Sequence, residues 1–360
     1  MRIVHLVISG QVAGGQLVAL RLARAARERG DEVSFAAPRP GPFGELARKE
    51  GFQVALVDVG RVHRMRPAGR LRRLLRGADL LHTHTLASAN ALSTLASPAP
   101  VVRHLHIENH FRPATEPALR RLDSWTARRC AALVAVSGDT RRAYLRQGYP
   151  DRIEVVHNGI ELDGAAPTGS LRAELALPNG APLIGEVARL CEVKGQRELI
   201  EALPAIPDAR LVLFGRDLEQ GGAFQEGLER TADRLGVRDR VVFAGHRDDA
   251  AQLLGELDLF VLPSWTEGLP LVVLEAMARR RAVVATPVGG TPEVVADGET
   301  GLLVPPRDSA ALATAIRELL ADPERRRRMG EAGYRRAAER FSAEAMTRRV
   351  LEIYDEVNAR

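Results

Sequence analysis

The stretch that decides the fold covers residues 259–275 and reads LFVLPSWTEGLPLVVLE. Its first four residues are apolar, as in a strand that is buried on both faces. A loop carrying Glu267 and Gly268 follows, and Pro270 suits the first turn of a helix. A strand, a loop and a helix in this order form the repeating unit of a parallel sheet covered by helices.

The same rhythm runs through the chain and predicts an α/β fold with two Rossmann-like, doubly wound lobes. Strands are predicted at Ile3–Ile8, Val33–Ala37, Val54–Val57, Leu80–Thr83, Val101–Leu105, Leu133–Val136 and Glu154–His157, and then at Leu183–Val187, Leu211–Phe214, Val241–Ala244, Leu259–Leu262, Ala282–Thr286 and Gly301–Val304. The polar stretch Glu161–Ser170 suits an interdomain linker. We therefore predict domains at 1–165 and 166–340, and a final helix within 341–360 that crosses back to the first domain.

Composition is that of a globular protein of the cytoplasm. The 360 residues carry a net charge of +5, and 45% of them are hydrophobic. Two cysteines, Cys130 and Cys191, do not suggest a disulfide framework. The first apolar run is broken by His5, and no later one reaches about 18 residues, so we expect neither a secretory signal nor a transmembrane helix.

Two carboxylates frame the deciding stretch, Glu267 on the loop and Glu275 about one turn inside the helix. The start of a helix receives diphosphate well, and Gly268 allows close approach of the backbone to a ligand. Glu275 can accept both hydroxyls of a ribose, while Glu267 can hold a sugar. The alternative is a buried helix with a solvated glutamate at each end, and spacing alone does not separate the two interpretations.

A second strand end supplies two cations, Arg189 and Lys194. Positioned cations stabilise the charge of a departing diphosphate, as a metal ion does in other enzymes. The sequence contains no Asp-x-Asp triplet, the usual cradle for a divalent ion in metal-dependent sugar transferases, so we expect no metal cofactor. Taken singly, each cation is better explained as an ordinary surface charge.

Together these segments make nearly the whole chain resemble the family-4 (GT4) retaining glycosyltransferases, which have the two-domain GT-B fold. The most specific similarities are Arg189–Gly195, Val241–His246, Asp258–Glu275 and Pro292–Gly301; weaker ones are Gly14–Gly15, Asp79–His84, Val101–His106, Val136–Ser137 and His157–Ile160.

The resemblance implies that the C-terminal domain binds a nucleoside-diphosphate sugar. Arg189 and Lys194 would bind its diphosphate, and Glu275 its ribose. Glu267 would hold the sugar, and Arg247 would border the base. The implied donor contacts are Gly15, Arg189, Lys194, Arg247, Glu267, Gly268, Leu269, Pro270 and Glu275.

The resemblance also implies that the N-terminal domain binds the acceptor across a central cleft. Gly14, His84 and His106 are the acceptor-side candidates, and His106 would contact the transferred sugar near its reacting carbon. The implied catalytic residues are His106, Arg189, Lys194 and Glu267. The family retains the anomeric configuration, and the leaving phosphate helps to accept the proton of the acceptor.

Two His-x-His pairs, His82/His84 and His104/His106, permit a competing transition-metal hypothesis, because alternate residues of a strand point to one face. The pairs need not meet in space, and no carboxylate is placed to support them. Lining of the acceptor cleft and core packing are therefore favoured. The loop Gly10–Gly15 lacks the Gly-x-Gly-x-x-Gly spacing of nicotinamide-binding proteins.

The basic amphipathic stretch Arg61–Arg76 suggests peripheral association with an anionic membrane, at the inner face of the cell membrane. The arginines that extend this patch are Arg112, Arg120, Arg121, Arg128 and Arg129. The alternative is a Rossmann helix with a solvated basic face. Nucleic acid is disfavoured because aromatic residues make up only 4% of the chain.

Two other functions remain open beside sugar transfer. One is a nucleotide-sugar epimerase of the same architecture, and the other is a non-catalytic nucleotide-sugar-binding protein. The base, the sugar and the acceptor, whether a lipid-linked or envelope glycan or a small molecule, depend on pocket shape and stay undetermined at this level.

Overall fold

A computed structural model describes residues 1–58, 65–106, 116–162, 171–178, 180–218 and 220–359. The chain divides into two compact units, one of Met1–Gly159 with Ala343–Arg360 and one of Ile160–Ser342. The predicted boundary at residue 165 lies outside the described residues, as do residues 61–64 and 112 of the predicted basic patch.

The N-terminal unit is built on a seven-stranded parallel sheet of order β3-β2-β1-β4-β5-β6-β7. Its strands are β1 Arg2–Val7, β2 Glu32–Ala37, β3 Gln53–Leu56, β4 Leu80–His84, β5 Val101–Leu105, β6 Ala132–Ala135 and β7 Ile153–Val155. Its helices are α1 Gly14–Glu28, α2 Pro42–Lys49, α3 Met65–Leu74, α4 Ala87–Ala96, α5 Glu116–Ala127 and α6 Gly138–Arg146.

The C-terminal unit is built on a six-stranded parallel sheet of order β10-β9-β8-β11-β12-β13. Its strands are β8 Leu183–Val187, β9 Arg210–Phe214, β10 Val241–Gly245, β11 Leu259–Leu262, β12 Val283–Ala285 and β13 Gly301–Leu303. Its helices are α7 Leu171–Glu174, α8 Gln196–Ala202, α9 Ala223–Arg234, α10 Ala250–Leu253, α11 Leu271–Ala278, α12 Thr291–Val294, α13 Ser309–Ala321 and α14 Pro323–Arg340.

The predicted α/β class and the two Rossmann-like sheets are confirmed. Each predicted strand forms with its ends within two residues of the prediction, because short apolar runs between turns can bury both faces only in a central parallel sheet. The last helix, α15 Ala343–Asn358, begins after a break at Phe341 and packs against α1 in the N-terminal unit. A further break falls at Asp322, whose side chain caps α14 just before Pro323.

Each unit has its own apolar core between sheet and helices, including Leu81, Leu92 and Leu133 in the first and Ile184, Leu211 and Ile316 in the second. In the N-terminal core, the fully buried Arg103 lies 3.1 Å from the carboxylate of Asp123. Among the described residues, no helix is both long and apolar enough to cross a membrane.

Candidate functional site

In the C-terminal unit, the strand order reverses between the neighbouring strands β8 and β11. In open parallel sheets, ligands bind outside the carboxyl ends of the strands at such a reversal. The chain leaves β8 through Arg189 and Lys194, and it leaves β11 through Ser264 and Glu267. The topology therefore brings together the two segments that the sequence analysis singled out.

Lys194 and Glu267 form a direct ion pair at this point. Lys194 Nζ lies 2.6 Å from Glu267 Oε1, and Ser264 Oγ donates to the same oxygen at 2.7 Å. The side chains of Lys194 and Glu267 are 19% and 10% exposed, so the pair is partly desolvated but still open to a ligand. The Trp265 N–H donates to the Val193 carbonyl at 2.8 Å, which ties the two loops together.

Two glycines make the close packing of these loops possible. Gly195 has φ 74°, and a Cβ there would lie 2.2 Å from the Pro263 carbonyl oxygen. Gly289 has φ 55°, and a Cβ there would lie 1.8 Å from the carbonyl oxygen of Glu267. The next residue, Gly290, donates its N–H to the Gly268 carbonyl at 2.7 Å. Any side chain at position 289 would displace the Glu267 loop.

A buried carboxyl, Glu186, lies beneath the ion pair at the end of β8. Its Oε1 accepts a hydrogen bond from Gln196 Nε2 at 3.1 Å. Burial raises the pKa of Glu186 well above its usual value, although the Lys194 cation opposes that shift. Glu267, which contacts Lys194 directly, is the carboxylate that balances the charge of Lys194.

The remaining donor-side candidates surround this pair. Gly268, Leu269 and Pro270 are buried, and Glu275 is half-buried on α11. Pro270 lies at the N-cap, one position before the first helical residue and not within the first turn as predicted. Arg189 is exposed. Arg247, just after β10, pairs with Asp249 at 2.8 Å and with Glu174.

The N-terminal unit places its candidates around His106. Gly14 and Gly15 begin α1, whose N-cap residue has no side-chain hydrogen bond. A Cβ at Gly15 would lie 3.4 Å from both Cγ and Cδ2 of His106, so the backbone of Gly15 covers one face of the imidazole. His84 Nδ1 lies 2.9 Å from His106 Nε2. Gly15, His84 and His106 thus form one contact group.

The two His-x-His pairs do meet in space, because β4 and β5 are adjacent and their even-numbered residues share one face of the sheet. His5 on β1 joins them from the other side of β4. Desolvation by burial lowers the pKa of each ring, to about 3 for His5 and about 4 for His106. All of these rings, His5, His82, His84, His104 and His106, are therefore neutral at pH 7.

Sequence comparison decides the family. Residues 12–163 match the family model described as Glycosyltransferase Family 4, and residues 168–336 match the one described as Glycosyl transferases group 1. The alpha-maltose-1-phosphate synthase of Mycolicibacterium smegmatis is 36% identical over 314 residues, which cover 78% of this chain and 80% of that protein. The chain belongs to the family 4 glycosyltransferases.

Two further relatives span nearly all of this family 4 chain. The D-inositol 3-phosphate glycosyltransferase of Corynebacterium urealyticum is 31% identical over 359 residues, covering 91% of this chain and 82% of that one. The crystal structure of Anabaena HepE in complex with UDP-glucose is 25% identical and superposes with a TM-score of 0.90, covering 99% of this chain and 100% of that one. The predicted GT-B architecture and family are confirmed.

Several side chains of this family 4 site were not singled out from the sequence. Ser264, Glu186 and Gln196 surround the ion pair, and His5 completes the histidine group. A sequence-based search could have found them by their position. Each lies in or just after a central strand, or next to one of the loops that carry Lys194 and Glu267. Gly289 carries the same signal, because it follows β12, the strand adjacent to β11.

Proposed function

We propose that this chain transfers a sugar from a nucleoside diphosphate to an acceptor, with retention of the anomeric configuration and without a metal cofactor. The observation that carries the proposal is the Lys194–Glu267 pair at the sheet reversal of a family 4 domain. A cation and a carboxylate in one partly desolvated site offer complementary partners for a diphosphate and for sugar hydroxyls.

The donor occupies the C-terminal unit in this proposal. Its diphosphate binds the ammonium group of Lys194 in place of Glu267 and also binds the exposed Arg189. The carboxylate of Glu267 then binds the sugar hydroxyls. The ribose binds Glu275, about one turn inside α11. The UDP-glucose complex of HepE makes UDP-glucose the first donor to test.

The reaction breaks the bond between the anomeric carbon and the phosphate oxygen. The acceptor hydroxyl forms its new bond on the same face, and its proton passes to the leaving phosphate. Negative charge grows on the nucleoside diphosphate during this step, and Lys194 and Arg189 stabilise it. Loss of one such positioned donor typically lowers kcat by about 10²- to 10³-fold.

Isothermal titration with UDP-, GDP- and ADP-sugars in buffer containing a chelator tests the donor site. We expect one donor to bind, and Lys194→Ala and Glu275→Ala to weaken its binding. Lys49→Ala is a matched control, because Lys49 is the only other lysine in the sequence and is exposed on α2. Absence of binding to every donor would contradict the proposal.

Product analysis with the donor that binds separates transfer from the other two functions. A transferase forms an α-linked product from an α-configured donor only when an acceptor is present. An epimerase would convert the donor without an acceptor, and a sensor would leave it intact with every acceptor tried. Either result would overturn the proposed transfer.

We propose a lipid-linked acceptor at an anionic membrane, and the support is one face of the N-terminal unit. Helix α4 packs between α3 and α5, and exposed arginines flank it on both sides. They are Arg70, Arg72 and Arg73 on α3, Arg76 just after it, Arg120 and Arg121 on α5, and Arg128 and Arg129 just after it. Trp125, 44% exposed, and Leu95, 49% exposed, add apolar groups. Arginines around exposed apolar side chains suit a headgroup region.

Charge balance on this face supports a membrane. Asp123 on α5 is buried against Arg103. In the part of the chain that the structure describes, Arg70, Arg121 and Arg128 form no ion pair with a carboxylate. Each basic residue near anionic lipid contributes about 1 kcal/mol.

Sedimentation with vesicles containing phosphatidylglycerol tests this face. Arg121→Glu/Arg128→Glu should abolish binding at low salt, whereas Arg328→Glu/Arg335→Glu, which reverses two exposed arginines of α14, should retain it. If the native protein does not bind such vesicles, the membrane proposal fails. Soluble phosphorylated compounds are then the first acceptors to test. The names of the M. smegmatis and C. urealyticum relatives refer to alpha-maltose 1-phosphate and D-inositol 3-phosphate.

A further inference from the structure

Helix α8 carries two buried polar side chains, Gln196 and Glu198, in its first turn. They are 1% and 8% exposed. Burying a polar group lowers stability unless hydrogen bonds replace those lost to water. The partners of these side chains include two loops, the β8 loop of residues 188–195 and the β11 loop of residues 263–270. One helical turn therefore contacts both loops that carry the donor-side candidates.

Gln196 fixes the β8 loop. Its Nε2 donates to the carbonyl oxygen of Arg189 at 3.1 Å and to Glu186 Oε1 at 3.1 Å. The amide carries two N–H donors, so both bonds can form at once. Glu186 lies in β8 and is 1% exposed, so the sheet sets the direction of the amide. The backbone from which the Arg189 side chain extends is held in place as a result.

Glu198 fixes the β11 loop through Trp265. The indole Nε1–H of Trp265 donates to Glu198 Oε1 at 3.0 Å, and its backbone N–H donates to the Val193 carbonyl at 2.8 Å. The guanidinium carbon of Arg307 lies 3.9 Å from the centroid of the indole ring. Because Trp265 is tied both at its backbone and at the far end of its side chain, its orientation is fixed. Glu267 follows only two positions later on the same loop.

We propose that Gln196 and Glu198 are positioning residues of the donor site. Gln196 sets the position of Arg189, which binds the diphosphate. Glu198 acts through Trp265 and sets the position of Glu267, which binds the sugar. This inference rests on the proposed function for its ligand, although the hydrogen bonds themselves do not.

The two loops should have separable effects on binding. The β8 loop serves the diphosphate, which is present in a nucleoside diphosphate and in a nucleotide sugar alike. The β11 loop serves the sugar, which only the nucleotide sugar contains. Loss of Gln196 should therefore weaken both ligands, whereas loss of Glu198 should weaken the nucleotide sugar alone. General damage to the unit would weaken both ligands in either variant.

Nuclear magnetic resonance of 15N-labelled protein tests the bond between Glu198 and Trp265 without any nucleotide. The sequence contains two tryptophans, so two indole N–H signals are expected, and Trp125→Phe identifies the signal of Trp265. That signal should shift in Glu198→Ala and return toward its native position in Glu198→Gln, whose amide oxygen can accept the same bond. Glu201→Ala removes an exposed carboxyl of the same helix and should leave the signal unchanged.

Hydrogen–deuterium exchange followed by mass spectrometry tests the bonds of Gln196. The amide of Leu190 donates to the Arg216 carbonyl at 3.0 Å and reports on the β8 loop. Gln196→Met has a side chain of similar length without an N–H donor, so this amide should exchange faster than in the native protein. Arg197→Met changes the next, exposed residue of α8 and should keep the native rate. A native rate in Gln196→Met would overturn the role of Gln196.

Titration with UDP-glucose and UDP supplies the functional readout. In Glu198→Ala, UDP-glucose should bind about 10-fold more weakly, while UDP stays within about 2-fold of its native affinity. Glu198→Gln should restore the native affinity for UDP-glucose. In Gln196→Met, both ligands should bind about 10-fold more weakly. Equal weakening of both ligands in Glu198→Ala would overturn the role of Glu198, and so would an unchanged indole signal of Trp265.

Trp265→Phe carries the same expectation for binding if Glu198→Ala does not fold, because it removes the indole N–H and keeps an aromatic ring. The measurements also separate this inference from the proposed function. If the native protein binds no nucleotide sugar, the proposed function fails, while the indole and exchange measurements still decide whether the two loops are tied as described. If a donor binds and both variants keep native spectra and exchange, this inference alone fails.

Discussion

Both units place polar side chains on or after the central strands of their sheets, yet one set is neutral and the other is charged. In the N-terminal unit, His5 and His82 lie within strands and are fully buried. In the C-terminal unit, Lys194 and Glu267 lie on loops beyond the strands and stay partly exposed. Burial therefore decides whether a polar group at the edge of the sheet carries charge without a buried partner.

Glu186 and Arg103 extend the comparison to other residues within strands. Glu186 lies in β8, near charged Lys194, and burial still raises its pKa well above the usual value. Arg103 lies in β5 and is neutralised by the buried Asp123 instead. A strand position thus requires either a neutral form or a buried partner.

The largest effect is expected from acid, which should lower the free energy of unfolding because the buried histidines are neutral in the folded chain. Their pKa values in the folded chain are lowered, so below about pH 6.5 the unfolded chain binds more protons and the free energy of unfolding falls with pH. Asp123, with a pKa raised to about 6, and Glu186 act in the opposite direction. Five histidines act in one direction and two carboxyls in the other, so we expect the free energy of unfolding to fall as the pH is lowered from 6 to 5.

Urea unfolding at pH 7.0, 6.0 and 5.0 measures this slope. His5→Phe should make this slope shallower by roughly 1 kcal/mol per pH unit, and Tyr354→Phe, which removes the hydroxyl that contacts His82, should not change it. A native slope near zero would show that the histidines are charged in the folded chain.

Breaking the buried ion pair is expected to have the next largest effect. Asp123→Ala leaves Arg103 charged and buried, and it removes the acceptor of the Tyr149 hydroxyl. We expect a loss of about 3–5 kcal/mol in the free energy of unfolding. Glu344→Ala, which removes the exposed partner of Arg348, should cost less than about 1 kcal/mol. Equal losses in the two variants would contradict the role assigned to burial.

Lys194→Ala tests the charged side of the comparison. Because Lys194 lies beyond the strand, we expect folding to be nearly unaffected, while kcat for sugar transfer falls by about 10²- to 10³-fold. Lys49→Ala should retain native kcat. A modification experiment adds a direct readout, since bound donor should protect Lys194 and not Lys49 from acetylation, as followed by mass spectrometry.

The smallest effect is expected for Glu186→Gln. A protonated carboxyl and an amide have similar shape and polarity, so we expect a change in stability of less than about 1 kcal/mol. Glu186→Lys, which places a cation beside Lys194, is the contrasting variant and should be strongly destabilised. Thermal melts of both proteins check this, and a severe loss in Glu186→Gln would mean that Glu186 is ionised.

Local pattern was enough to predict the strands and the loops that carry Lys194 and Glu267. It did not indicate that Glu267 would accept hydrogen bonds from both Lys194 and Ser264, because that contact depends on β8 and β11 being neighbours. Residues 194 and 267 are far apart in sequence, and the adjacency of β8 and β11 in the sheet brings their loops together. The roles of these residues in donor binding remain predictions.

The sequence by itself determined the class of the fold and its family, because buried strands and specific loop segments leave a local record in residue type and spacing. Tertiary structure alone decided that His5 joins the two His-x-His pairs and that Tyr354 reaches His82 from the final helix. Those contacts join residues up to 272 positions apart. Their protonation follows from burial, a property of the packed unit that a local stretch of sequence does not specify.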